Sequence, residues 1–361
     1  TQTVKYVKTS NGAEVTELTK VATVYAISVG NGETVPVPKG FYYVGGTLSS
    51  GVVISDNPAD QNKYAGQADV PSGIEAVKGE DGTTITGIKR TLQGNQFVWI
   101  PCTTETYKKY DWGTTYRNNV YASDVSAFEK TQIEKYGGFY VGRYESGLDK
   151  DITVQTSTMT NNSSTQYNVS GTPRIQAGIE PWNFVSYTKS KENAESLYSN
   201  STSVNSGLLT GTMWDTMMYY LGDNSYTSSK LTSSTWGNYA NTTPTITLGK
   251  TAKGYYSSSA WRMDTFTTAS WASGTKKTAG TVNTGTNGVG YVWTTGSSEE
   301  AKLKNLYDVA GNTWEWTEET GITNNAANTV YSSHRVIRGG GVIYSYSVNP
   351  ACYRNYNTVS N

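Results

Sequence analysis

Apolar residues alternate with polar ones, or run in short β-branched stretches, over most of the chain, and helical spacing is sparse. Val4–Val7 and Val21–Ile27 have this extended character, with Asn11-Gly12 and Asn31-Gly32 as turn signals. Phe41–Gly46, Gln96–Pro101 and Gly138–Glu145 are predicted strands, the second ended by its proline. Residues 56–94 are polar and Gly-rich, which predicts loop with short strands. A short helix is expected over Ala127–Lys135 and another over Lys189–Tyr198. Met213, Trp214, Met217, Met218 and Leu221 follow the i, i+3, i+4 spacing of a buried helix face, and Gly222 follows as a C-cap.

The remainder is punctuation and filler between these elements. Residues 1–38 read as an extended, strand-rich lead-in or attachment segment, closed by Val35-Pro36-Val37-Pro38. The main domain then runs over 39–361. Residues 150–172 and 223–300 enter as insertions, the first a loop and the second irregular structure. No repeat of fixed period occurs. One α+β domain with few helices, short strands and long insertions accounts for this order of elements.

Lys and Arg total 29 and Asp and Glu total 29, with no basic run, so nucleic acid is not the expected partner. Aromatic residues make up 12% of the chain, which excludes a disordered polymer. No stretch of about 20 apolar residues is present, so no span of a membrane is expected. The two cysteines, Cys102 and Cys352, do not form a disulfide framework; they either pair or remain buried thiols. A single histidine, His334, cannot supply a facial triad, and a strand residue with a satisfied ring is expected there.

Four segments carry a resemblance to the formylglycine-generating-enzyme (sulfatase-modifying factor) family. They are Gly138–Glu145, Pro181–Tyr187, Leu208–Asp215 and Leu306–Thr317, the last followed by Arg335–Gly341. The third keeps the family's Trp, as Trp214, but lacks its Arg and Pro. The fourth, with Gly311-Asn312-Thr313-Trp314-Glu315-Trp316 and Arg338-Gly339-Gly340-Gly341, is the most specific. The resemblance covers residues 96–361 and implies a C-type-lectin-like fold of the formylglycine-generating-enzyme subtype. On a strand, the indoles of Trp314 and Trp316 point one way, into a core, and the Glu315 carboxylate the other.

The family's paired active-site cysteines map near Tyr344 and Asn349, so the resemblance implies a protein that is not an enzyme and requires no cofactor. It also implies a structural calcium on Asp308, Gly311, Thr313 and Glu315, whose carboxylates and carbonyls are hard oxygen ligands. The alternative for those carboxylates is backbone capping in a tight turn.

The window 342–357 is Tyr, Ser and Asn with a few apolar residues and one Arg, the chemistry of antibody loops. It resembles the C-terminal segment of diversity-generating-retroelement variable proteins, which share this fold and are rewritten at adenines of Asn codons. Randomising both adenines of AAC or AAT cannot yield Lys, Glu, Gln, Trp or Met, and all sixteen residues of the window fall within the accessible set. The residues expected to face ligand are Val342, Ile343, Tyr344, Ser345, Tyr346, Ser347, Asn349, Tyr353, Asn355 and Tyr356. Val348, Ala351, Cys352 and Arg354 are expected to be structural, and the tyrosines to be anchors. The expected function is a display protein that binds a protein or glycan on a target surface, carried on a pilus, a virion or phage tail, or a cell surface. Its rivals are an oxidase with displaced cysteines and a structural pilus or virion subunit.

Overall fold

The protein is described from a computed structural model. It covers residues 23–30, 32–113, 115, 125–148, 171–257, 260–322 and 330–359, with short strands at 4–6, 9–10, 13–14 and 18–20. Most of the loop expected at 150–172 lies outside the described residues.

Strands β1 (Val24–Ser28) and β2 (Thr34–Pro38) form an antiparallel hairpin. Val29, Val35 and Val37 are buried in one cluster with Tyr43, Ile54 and Trp99, so the boundary drawn at residue 38 falls inside a shared core. Next comes a four-stranded antiparallel sheet of β3 (Tyr42–Gly45), β4 (Val53–Ser55), β5 (Gln96–Pro101) and β6 (Gly138–Gly142). Its order is β6-β5-β4-β3. All three strands predicted in this half are present.

Each predicted helix is found, with ends set by side-chain chemistry. In α1 (Ala127–Tyr136) the Ser126 hydroxyl accepts from the Glu129 amide while the Glu129 carboxylate accepts from the Ser126 amide. Helix α2 is Tyr187–Ser196. In α3 (Gly211–Leu221) the Thr210 hydroxyl caps the Met213 amide at 3.1 Å. Trp214, Met217, Met218 and Leu221 are all buried, as their spacing predicts. Thr212, Asp215 and Thr216 are buried too, so α3 is enclosed on every side and carries a carboxylate into the centre of the domain. Its apolar face lies in the main core with Val44, Val53, Val98 and Ile100 of the sheet.

Residues 223–300 hold more order than expected. β7 (Thr251–Ser257) pairs antiparallel with both β8 (Ala260–Met263) and β9 (Asn287–Trp293). The segment also supplies fully buried Tyr239, Phe266 and Trp293, so it is part of the core. Low charge and abundant Ser, Thr and Gly concealed it, because those residues fill a buried sheet as readily as a loop. A third antiparallel sheet closes the chain: β10 (Glu315–Ile322), β11 (Val330–Arg338) and β12 (Asn355–Thr358), with β11 central. The fold is thus mixed α+β, with four α-helices and short antiparallel strands among the described residues. No helix among them is long and apolar enough to cross a membrane.

Candidate functional site

The expected binding window is the excursion between two neighbouring strands of the last sheet. β11 ends at Arg338, the chain turns through Gly339 and Gly340, and β12 returns to pair Tyr356 with Val336 and Asn355 with Ile337. Gly339 and Gly340 have φ of 86° and 84°, a region that L side chains rarely adopt. A Cβ on Gly340 would strike the Asn349 carbonyl, and one on Gly339 would strike the Glu315 carboxylate.

The excursion rests on a buried charge network. Asp215 accepts from Arg338 Nη2 at 2.6 Å, from Trp112 Nε1 at 3.1 Å, from the Tyr110 amide at 2.8 Å, and from Arg354. Glu319 meets Arg338 at 3.2 Å, Arg354 at 3.1 Å and Lys109 at 3.2 Å. Burial alone would raise the Glu319 carboxyl, but Arg354, Lys109 and Arg338 outweigh it and hold it at about 2. Arg354 is therefore structural, as expected, and so are Ala351 and Cys352, which are 0% exposed.

The remaining positions of the window divide. Val342 and Ile343, expected to face ligand, are buried with Ala252, Met263, Phe266 and Val292. Ser345 and Asn349 are also buried; the Ser345 hydroxyl accepts from Asn241 Nδ2 at 3.0 Å and lies 2.8 Å from the Ser347 hydroxyl. These four are corrections, because a short return loop must bury part of its own length against the sheet it crosses. Val348, expected to be structural, is 58% exposed. Ser347 is exposed, and Tyr344, Tyr346, Tyr353, Asn355 and Tyr356 are half-buried. Tyr344 and Tyr353 both pack on Trp314, with ring centroids 5.8 and 6.1 Å away. Tyr356 packs edge-on to the ring of His334, a strand residue whose Nδ1 lies 3.1 Å from the Ser333 hydroxyl.

Beside the window opens a cavity of about 380 Å³, within the range of roughly 300–1,000 Å³ usual for small-molecule sites. Its walls include Trp182, Phe184, Trp261, Trp314, Trp316 and Tyr344. The Trp314 and Trp316 indoles are thus half-buried cavity walls rather than core fillers, although Trp316 Nε1 is satisfied by the Val185 carbonyl at 2.8 Å. Phe184 has φ of 54°, a genuine outlier for a bulky residue and the kind of local strain that clusters at ligand sites. Four shielded polar atoms on the lining have no hydrogen-bond partner among the described residues: Trp182 Nε1, Asn183 Oδ1, Ser190 Oγ and Glu315 Oε2.

Three carboxyls lie at or behind this cavity. Glu145 is satisfied: it accepts from the Thr313 amide at 2.9 Å, from the Thr313 hydroxyl at 2.6 Å and from Asn312 Nδ2. Burial, reinforced by Asp308, still raises it well above the usual carboxylate range. Burial also raises Glu315, with Glu145 and Asp308 adding to the effect. Asp308 is pushed up to about 6 by burial, although Gly296 N and Trp293 Nε1 donate to it.

The residues expected to hold calcium engage other groups in this arrangement. Asp308 has both oxygens on N–H donors, at 3.0 and 2.7 Å, and Thr313 gives its hydroxyl to Glu145. Gly311 turns the backbone at φ 74° and sends its amide to the Gly339 carbonyl. Glu315 stands apart with its Oε2 unpartnered. Among the described residues no group of three or more His, Cys, Asp or Glu is placed to hold a metal. Cys102 and Cys352 are unpaired and lie in separate buried clusters, and burial pushes each thiol up to about 12.

Sequence reasoning missed Trp182, Asn183, Phe184, Ser190 and Trp261 as site residues. The first three sit in the segment Pro181–Tyr187 already marked as a motif, so a signal existed; nothing local marks Ser190 or Trp261. Searches of known protein families, of curated proteins and of solved structures find no match to this chain.

Proposed function

We propose that the protein is a non-enzymatic ligand-binding module of the C-type-lectin-like, formylglycine-generating-enzyme type. The outward part of its C-terminal return loop is the contact surface, diversified in the manner of a retroelement variable protein. The observation that carries this reading is the division of the window. Arg338, Arg354, Ala351 and Cys352 anchor the loop in the core, while Tyr344, Tyr346, Ser347, Val348, Tyr353 and Tyr356 stand on or near the surface. Rigid aromatics with small polar neighbours on a fixed frame are what adaptable binding surfaces use. The inert, separated thiols favour binding over cysteine-based oxidation. Display on a pilus, virion or cell surface, with a protein or glycan as target, belongs to the same proposal.

The test is at the locus. The proposal expects a near-copy of the 3′ coding segment, differing only at adenines, beside a reverse transcriptase gene. It further expects those adenines to fall in the codons of the surface positions and to spare Ala351 and Arg354. A locus with no such copy, in strains that carry the gene, defeats the diversification; adenine differences at the buried codons instead would defeat the assignment of the surface.

A further inference from the structure

We infer that the cavity beside the return loop is a calcium-independent subsite for a neutral sugar ring. This rests on the binding-protein reading above and names the class of ligand that one part of the surface takes. Four polar atoms are stripped of water there with no partner among the described residues: one donor, two acceptors and one hydroxyl. Trp182 Nε1 is a donor only, Asn183 Oδ1 is an acceptor only, Glu315 Oε2 accepts when ionised, and the Ser190 hydroxyl does either. An unmade hydrogen bond at a buried site is expensive, so a set of four around one cavity is a set of requirements on its occupant.

Sugar hydroxyls meet all four, since each donates and accepts. An ammonium meets Asn183 and Glu315 but offers nothing to the Trp182 N–H, and a carboxylate or phosphate has nothing to give Asn183. The walls agree: Trp261 lies against Phe184 with ring centroids 6.3 Å apart, and Trp314 lies against Tyr344, so flat apolar faces stand ready for the C–H face of a ring. The polar groups and an aromatic wall converge from four separate places in the fold. Trp182 and Asn183 precede α2, Ser190 lies within it, Glu315 begins β10, and Trp261 belongs to β8. Phe184 holds its αL conformation among them. The subsite needs no metal, because every group that would address the hydroxyls is a protein atom.

The experiment titrates the full chain with a panel of neutral mono- and disaccharides, following tryptophan fluorescence and then calorimetry, with and without EDTA. Lysine methyl ester and tetramethylammonium form the amine arm. At least one neutral sugar is expected to saturate with Kd of about 1 mM or tighter, unchanged by EDTA. Trp182→Phe, which keeps an aromatic face but removes the N–H together with the fused pyrrole ring, is expected to weaken it by about tenfold. Ser190→Ala serves as the second variant, with near-UV circular dichroism confirming that each folds. Tyr346→Ala, outside the cavity, is expected to leave sugar binding unaltered. Saturation by amines alone, loss of binding in EDTA, indifference to both cavity variants, or no saturable binding by any sugar overturns the inference. None of these results bears on adenine-directed variation at the locus, so the subsite can fail while the binding-protein reading stands.

Discussion

Asp215 and Glu319 on the one hand, and Glu145 and Glu315 on the other, are carboxyls withdrawn from water by the same fold, yet only the first two form ion pairs with guanidinium. Arg338 and Arg354 bridge Asp215 and Glu319 into one network, and Lys109 adds a third cation. Glu145 is held by an amide, a hydroxyl and a carboxamide, and Glu315 Oε2 by nothing. A buried ion pair costs desolvation on both members and repays it only with good geometry and further hydrogen bonds. The Asp215 side has those and acts as frame. The Glu315 side lacks them and borders a cavity, which is where unmet polar groups gather when a fold is built to hold something.

The largest expected effect breaks the frame. Asp215→Ala leaves two buried guanidinium groups short of an anion and should cost about 3–5 kcal/mol in urea unfolding. A loss under about 1 kcal/mol would put the network on a par with exposed pairs.

The pH dependence comes next and separates the two sides by sign. Asp308, Glu145 and Glu315 have folded pKa values raised above their unfolded ones, so the stability they contribute is complete at low pH and is lost as pH rises through the folded values. Glu319 is depressed to about 2 from an ordinary 4.5, so its contribution is present above 4.5 and disappears as pH falls toward 2. Between pH 7 and 5 the unfolding free energy should therefore rise, and below pH 4.5 it should fall. Scans are best kept at or below pH 7, because burial holds Lys277 at about 7 and its deprotonation adds stability from there upward. A profile that declines steadily from pH 7 to 4 would mean that the cavity carboxyls are ordinary.

A smaller effect sharpens the contrast. Glu315→Gln should stabilise the protein by about 1 kcal/mol at pH 7 and flatten the slope between pH 7 and 5, since a carboxyl whose ionisation burial opposes is replaced by an amide that does not titrate. Removing a carboxylate from the frame and from the cavity should thus move stability in opposite directions. The smallest effect is on the loop itself. Val348→Ser is expected to change stability by no more than about 0.5 kcal/mol.

Much of the frame was legible in the residues. The i, i+3, i+4 stripe placed α3, and the apolar run Gln96–Pro101, ended by its proline, placed the central strand. These signals are local, set by neighbours within about one turn of helix or one pleat of strand. The window 342–357 was only partly legible, because composition says which residues a surface can use but not which of them the sheet covers. Val342 and Val348 are the same residue type six positions apart, and one is 1% exposed and the other 58%.

By itself the sequence determined an α+β chain with sparse helices, the positions of its main strands, and a Gly339-Gly340 bend followed by a Tyr- and Ser-rich segment. Only the tertiary structure decided that residues 223–300 belong to the core, that Arg338 and Arg354 share Asp215, and that Trp182, Ser190, Trp261 and Glu315 surround one cavity. The reason is physical. Periodicity reports the face on which a side chain lies, whereas a buried charge or an unmet hydrogen bond is defined by what arrives opposite it, and the partners of Asp215 arrive from more than a hundred residues away.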